Sequence, residues 1–273
     1  MLCFPNCKIN LGLYVTHKRE DGYHDIETIF YPLPLRDVLE AVPATRTQVH
    51  TTGLAVTGNE QDNLVWKAYK LLQERIPGKV PSLDIYLHKI IPMGAGLGGG
   101  SADGAFMLRL INDHFLLDLP DNTLAEYALR LGSDCPFFIY NTPHFATGRG
   151  EQMEPANIDL SAYSIQLICP KVHVSTASAF RLITPAPAQF DLRELNTLPV
   201  EHWRNNISND FEAPVFKEHP LLADIKQQLY DKGALYAAMS GSGSAIFGIF
   251  PKGKKADIQI GVKFDTFYVE TIN

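Results

Sequence analysis

At 273 residues the chain is long enough for roughly two domains and for a core that needs neither metal nor disulfide. Hydrophobic residues make up 45% and charged residues 20%, which excludes a disordered or fibrous polymer. The 24 Lys+Arg against 30 Asp+Glu give −6 with no basic run, which argues against wrapping nucleic acid, since that needs a clustered positive surface.

In chain order, residues 8–15 alternate strictly, with Ile9, Leu11, Leu13 and Val15 on one face. That predicts a half-buried strand with Lys8 and Asn10 on its polar face. Asp21-Gly22 marks a turn and residues 27–33 a returning strand. Residues 63–75 read as a helix ended by Pro77-Gly78. Leu83–Lys89 alternates again and Pro92 stops it. Five glycines then fall within seven residues, ahead of Ser101, and a helix follows with Ala105, Leu108, Ile111 and Phe115 at spacings of three and four. Residues 122–131 form a second helix, with Asp121 or Asn122 as cap and Gly132 as stop. Residues 137–140 read as a strand. The polar stretch 142–150 followed by Pro155 suggests a boundary, with an ATP-binding and catalytic domain over 1–153 and a substrate-side domain over 154–273.

The second half runs strand (163–169), helix (176–183), a loop around Pro185 and Pro187, and helices near 210–216 and 221–232. A strand–loop–strand unit closes it, with Ser240-Gly241-Ser242-Gly243 between apolar runs. Strands and helices alternate irregularly and several strands are one-sided. That predicts two α+β domains rather than a doubly wound parallel sheet, whose strands would be apolar on both faces. Cysteines stand at 3, 7, 135 and 169 without a CxxC pair, and the histidines lack metal-ligand spacing. Reduced cysteines and no zinc site are expected. The first residues lack a basic region before a long apolar run, and no stretch approaches the roughly 18 apolar residues of a membrane span. A cytoplasmic chain is expected, a monomer or weak homodimer binding neither membrane nor nucleic acid.

The segment from Pro92 to Ala102 carries most of the functional information. Glycines let backbone approach a ligand closely, and the helix start that follows presents unpaired N–H groups, so together they suit a phosphate. A merely flexible loop would spend ordering entropy on five glycines for nothing, at about 0.5–1 kcal/mol each relative to Ala. Gly94-x-Gly96-x-x-Gly99 matches the dinucleotide fingerprint letter for letter. The preceding strand alternates, however, and no acid stands at a strand end about 20 residues on. A Walker A loop fails because Gly100 stands where lysine is required, and HRD and DFG are absent.

The run Pro92-Met93-Gly94-Ala95-Gly96-Leu97-Gly98-Gly99-Gly100-Ser101 resembles the phosphate-binding motif of the GHMP kinases. The triple glycine resembles one branch of them, which phosphorylates the 2-hydroxyl of a cytidine-diphosphate-linked methylerythritol in non-mevalonate isoprenoid synthesis. Lys8-Ile9-Asn10-Leu11, Gly22-Tyr23-His24, Gly132-Ser133-Asp134-Cys135-Pro136, Asn209-Asp210-Phe211-Glu212 and Ser240-Gly241-Ser242-Gly243 are similar to that branch in the same order. The resemblance implies a ribosomal protein S5-like first domain and a ferredoxin-like second one. It also implies ATP and Mg2+ as cofactors, without naming a protein ligand for the metal. A GHMP kinase acting on another small alcohol and a catalytically idle nucleotide-binding protein stay open as alternatives.

Site residues follow from the same motifs. A loop Asp such as Asp134 is on local grounds a cap or turn former, and Lys8 on the polar face of a strand is a solvated lysine. The resemblance makes them the catalytic pair, with Asp134 taking the hydroxyl proton and Lys8 keeping it ionised. Asn10, Tyr23 and His24 become substrate contacts, the last two at the cytosine. Pro92, Met93, Gly94, Ala95, Gly96, Leu97, Gly98, Gly99, Gly100, Ser101 and Ala102 become the nucleotide cradle. Asn63 and Lys89 line its adenosine pocket, although Asn63 also suits a helix N-cap and Lys89 the end of an exposed strand. Phe180 is a candidate second stacking face for cytosine. Ala102 and Gly104 depart from the residues usual in the family, and Asp103 reads as an outer acid or a helix-dipole partner.

Overall fold

The computed structural model describes residues 1–56 and 58–270. A short strand, β1 (Leu2–Cys3), precedes the long β2 (Asn6–Lys18), and the Asp21-Gly22 turn returns the chain as β3 (His24–Arg36). Gly22 takes φ 86°, a left-handed backbone that a side chain resists. β4 (Val38–Pro43) and β5 (Gln48–Gly53) lead to α1 (Leu64–Arg75), which starts where Asn63 accepts from the Val65 amide at 3.0 Å. β6 (Leu83–Lys89) runs into the glycine loop, and α2 (Gly99–His114) and α3 (Asp121–Leu131) follow. Next come α4 (Cys135–Tyr140) and the hairpin β7 (His144–Thr147) and β8 (Gln152–Pro155). The last third is β9 (Tyr163–Pro170), α5 (Thr176–Arg181), α6 (Val200–Asn206), α7 (Glu212–Glu218), α8 (Pro220–Asp231), β10 (Tyr236–Met239), β11 (Ile246–Pro251) and β12 (Phe264–Glu270).

Three four-stranded sheets result, ordered β1-β4-β6-β5, β2-β3-β7-β8 and β10-β11-β9-β12. Only β5 beside β6 is a parallel pair among the registers described. The α+β class is therefore correct. The chain forms two compact units, each discontinuous: Met1–Cys7, Leu35–Met93 and Gly98–Thr142 in the first, and Lys8–Pro34, Gly94–Leu97 and the described residues from Pro143 onward in the second. The stretch 142–150, expected as a boundary, contains the border between Thr142 and Pro143 and leads into the β7–β8 hairpin, whose β7 pairs with β3 at Thr28–Phe30.

In the first unit α1 packs on α2, burying Val65, Ala68 and Leu72 of the one and Ala105, Leu108 and Ile111 of the other, and Leu39, Ile85 and Leu87 of the sheet are buried as well. In the second, Leu13 and Val15 of β2 join Leu222, Ile225 and Leu229 of α8 and Met239 and Ile246 in one apolar cluster.

Two local readings are corrected. Residues 137–140 are not a strand but most of α4, since Pro136 sits in the first turn, where a missing N–H costs nothing. A run of four apolar residues cannot separate helix from buried strand by period alone. Neither Asp121 nor Asn122 caps α3, whose N-cap is Pro120; Asp121 receives Arg109 Nη2 at 3.0 Å instead.

Candidate active site

The glycine-rich segment is held tightly despite its composition. Gly94, Gly96 and Gly98 take φ of 65°, 77° and 72°. In the second unit the Ser240 hydroxyl donates to the Gly96 carbonyl at 2.9 Å, the Ala245 amide to Ala95 at 3.0 Å, and the Lys8 amide to Leu97 at 2.9 Å. Ala95 and Leu97 are buried, whereas Met93 and Gly94 are exposed and Pro92 is half-buried. A Cβ on Gly96 would run into the Ser240 backbone. The Ser240–Gly243 connection and Ala245 thus support the glycine segment. In the first unit Gly98 is the left-handed N-cap of α2 and offers no capping side chain, so the first amides, from Gly99, Gly100 and Ser101, keep N–H groups free for an anion. Ala102 is buried one residue further on.

Beside that helix start the first unit holds a pocket of about 260 Å³. Asn63, Leu64, Lys89, Met93, Gly100 and Asp103 line it, together with Val49, Thr51, Leu87 and residues around Glu60 and Asp62. The two residues expected at an adenosine pocket, Asn63 and Lys89, therefore meet in one cavity. Lys89 is 1% exposed, which corrects its reading as an exposed strand end. Its ammonium pairs with Asp37 and, at 2.6 Å, with Asp103 Oδ2. Asp37 is fixed in turn by the amides of Ile90 (2.5 Å) and Ile91 (2.9 Å). Burial pushes the Asp103 carboxyl up to about 8, against the downward pull of Lys89.

In the second unit Lys8 and Asn10 are 3% and 2% exposed, so the polar face of β2 is covered and the solvated-lysine reading is corrected. Lys8 Nζ donates to Asn10 Oδ1 at 2.7 Å and lies 5.0 Å from the Phe30 ring centroid. Asn10 Nδ2 donates to Thr28 Oγ1 at 2.9 Å, and that hydroxyl donates to the Gly12 carbonyl at 2.6 Å. This relay fixes Lys8 in one pose. Nearby in sequence, Tyr23 is 54% exposed with the Arg149 guanidinium 4.8 Å over its ring. His24 stacks on Phe180 at 5.0 Å with 20° between planes, and Phe180 meets Phe211 edge-on at 4.8 Å. Burial and then Lys18 hold the His24 imidazole below its usual range, so it is neutral near pH 7 and can both donate and accept.

Asp134 immediately precedes α4 and is half-buried. Its neighbour Cys135 hydrogen-bonds the Ser101 side chain, and α4 packs on α2. The carboxylate is thus tied, one residue removed, to the first turn of the helix that follows the glycines.

Residues 63–142 match the model of the GHMP kinases N-terminal domain, and residues 184–261 that of the GHMP kinases C-terminal domain. A 4-diphosphocytidyl-2-C-methyl-D-erythritol kinase of Parabacteroides distasonis is 54% identical, covering 92% of each chain. One of Bacteroides fragilis is 50% identical over 97% of this chain and 99% of its own. The chain belongs to the GHMP kinases, among the 4-diphosphocytidyl-2-C-methyl-D-erythritol kinases.

A crystal structure of a 4-(cytidine 5′-diphospho)-2C-methyl-D-erythritol kinase superposes with a TM-score of 0.79 at 31% identity, covering 91% of this chain and 90% of the other. A Methanococcus jannaschii mevalonate kinase shares the fold, at TM-score 0.71 and 13% identity, over 100% and 98%. This GHMP kinase is thus a small-molecule kinase with the two-domain fold of its family. Among its described residues no helix is long and apolar enough to cross a membrane. Sequence reasoning missed Asp37, which ends an apolar strand with no local motif, and left Asp103 without a place. Their signal is tertiary: both meet Lys89, 52 and 14 residues away in the chain.

Proposed function

We propose that this GHMP kinase transfers the γ-phosphoryl group of ATP to the 2-hydroxyl of 4-diphosphocytidyl-2-C-methyl-D-erythritol, a step of the non-mevalonate route to isoprenoid precursors. The observation that carries the reading is the 54% identity with an enzyme of that name over nine-tenths of both chains. The residues give it a chemical form. The amides of Gly99, Gly100 and Ser101, with Gly94–Leu97 before them, take the triphosphate, and the pocket with Asn63 and Lys89 takes the adenosine. Asp134 accepts the proton of the 2-hydroxyl as its oxygen bonds to the γ-phosphorus and the bond to the ADP oxygen breaks. Lys8, immobilised by Asn10, supplies the positive charge that polarises the hydroxyl.

Neutral His24 matches the donor–acceptor edge of cytosine, and Tyr23 and Phe180 offer aromatic faces for the ring. Mg2+ accompanies the triphosphate. Among the described residues no three His, Cys, Asp or Glu side chains are grouped to hold a metal. A coupled assay of ADP release tests the reading with three acceptors: the cytidine substrate, mevalonate or homoserine, and none. Release only with the cytidine substrate is expected. Turnover with another alcohol overturns the substrate, and no acceptor-dependent release overturns the kinase.

A further inference from the structure

The motif Asn209-Asp210-Phe211-Glu212 takes no part in the chemistry above, yet three of its side chains hydrogen-bond the backbone of other elements in the second unit. Asp210 Oδ2 accepts from the Val15 amide of β2 at 2.8 Å, and Glu212 Oε1 from the Met239 amide of β10 at 2.8 Å. The Leu13 amide donates to the Ser208 carbonyl and the Asp210 amide to the Leu13 carbonyl, each at 2.9 Å, which lays the segment alongside β2.

Asn209 is 3% exposed and spends its whole side-chain amide on backbone. Nδ2 donates to the Met239 and Gly241 carbonyls, both at 2.8 Å, while Oδ1 accepts from the Phe211 amide at 2.9 Å. That last bond fixes the direction of the amide, because the reversed group would set NH2 against an N–H. The two carbonyls held by Nδ2 flank Ser240, the residue whose hydroxyl donates to the Gly96 carbonyl. Gly241 then stands between the glycine segment and the polar face of β2: a Cβ there would lie 3.3 Å from Gly96 Cα and 3.6 Å from Asn10 Oδ1, the acceptor of Lys8 Nζ.

We propose that Asn209 is a positioning residue for phosphoryl transfer, which acts through Ser240 and Gly241 to set the Gly94–Leu97 backbone against the Lys8–Asn10 pair. The inference rests on the reading of those two groups as phosphate cradle and catalytic lysine, and deepens it. Phosphoryl transfer depends chiefly on positioning, and a misplacement of about 1 Å can cost about a hundredfold in rate. A buried amide that grips two carbonyls removes that freedom from a connection containing two glycines.

Steady-state kinetics would compare the wild type with Asn209→Asp, Ser240→Ala, the double variant and Val215→Ala, at a temperature where circular dichroism shows each folded. Asn209→Asp keeps an acceptor for the Phe211 amide and loses both donors. It should lower kcat/KM for ATP about 10–100-fold and leave the KM for the cytidine substrate within threefold. Ser240→Ala should lower kcat/KM for ATP about fivefold, the worth of one neutral hydrogen bond. The double variant should stay within twofold of Asn209→Asp, because both changes cut one chain of contacts. Val215→Ala, which thins the apolar cluster beside the same segment, should melt earlier with kcat unchanged.

Unchanged kcat/KM in folded Asn209→Asp, losses that multiply in the double variant, or an equal loss in Val215→Ala overturns the inference and leaves the kinase reading intact. Where Asn209→Asp fails to fold, unchanged kcat/KM in Ser240→Ala overturns it. Absence of acceptor-dependent ADP release in the wild type overturns both.

Discussion

Alanine at Gly96 and at Gly100 should act with opposite signs on stability, although both glycines belong to one motif. At Gly96 the backbone sits at φ 77°, and an added Cβ would fall 2.9 Å from the Ser240 carbonyl carbon and closer still to its oxygen. A left-handed alanine costs about 1–2 kcal/mol, forced displacement of packed backbone about 1–3, and loss of the Ser240–Gly96 hydrogen bond about 1, so about 3–6 kcal/mol in all. With roughly 2–4 °C per kcal/mol for a chain of this size, the melting temperature of Gly96→Ala should fall by about 6–24 °C. At Gly100 the backbone is helical and the added Cβ would meet only Met93 Cε, at 3.8 Å. Alanine there should be neutral or stabilise the helix by up to about 1 kcal/mol. Because Gly100 lines the pocket, the same methyl should raise the KM for ATP. Thermal unfolding followed by circular dichroism, with ATP kinetics on each variant, separates the two effects. Equal melting temperatures, or a destabilised Gly100→Ala, would show that the glycines serve flexibility rather than close approach.

Other outcomes follow from the same geometry. Asp134→Asn should lower turnover at least about a hundredfold while ADP affinity, measured by calorimetry, stays within threefold. Phe180→Ala should raise the KM for the cytidine substrate about 3–10-fold and leave the KM for ATP unchanged, since the ring stacks on His24 and not in the nucleotide pocket. Burial pushes the native Asp103 carboxyl up to about 8, well above the ordinary carboxylate range. The folded protein therefore keeps a proton that the unfolded chain has released, and this contribution to stability is full below about pH 4 and is lost as pH rises towards 8. Urea unfolding at pH 5, 6, 7 and 8 should show that decline in the wild type and a flatter profile in Asp103→Asn. Lys89→Met removes the cation between two buried carboxylates and should cost about 3–5 kcal/mol in the same titration at pH 8.

Much of the candidate nucleotide site was legible because it is written in backbone chemistry. Five glycines ahead of a helix, the Asn63 cap and the alternation of residues 83–89 are local signals, and each element formed where its pattern put it. The apolar face of β2 was equally plain, and the family motifs brought Lys8, Asn10 and Asp134 into view. Residues 137–140 were misread because four apolar side chains carry no period, and what decided between strand and helix was packing on α2. The strands β4, β5 and β12 had no turn signal strong enough to mark them.

What the sequence by itself determined, then, is everything that depends on neighbours three or four residues away: strand alternation, helix starts, and a backbone free to receive phosphate. Only the tertiary structure decided which charges leave water. Lys8 and Lys89 each sit at the end of an alternating run that looks half-solvated, yet both are buried. The environment of an ionisable group is built by partners distant in the chain, as with Asp37 beside Lys89 across 52 residues. For the same reason the discontinuous units, and the burial of Asp103, were settled only when the strands had found their sheets.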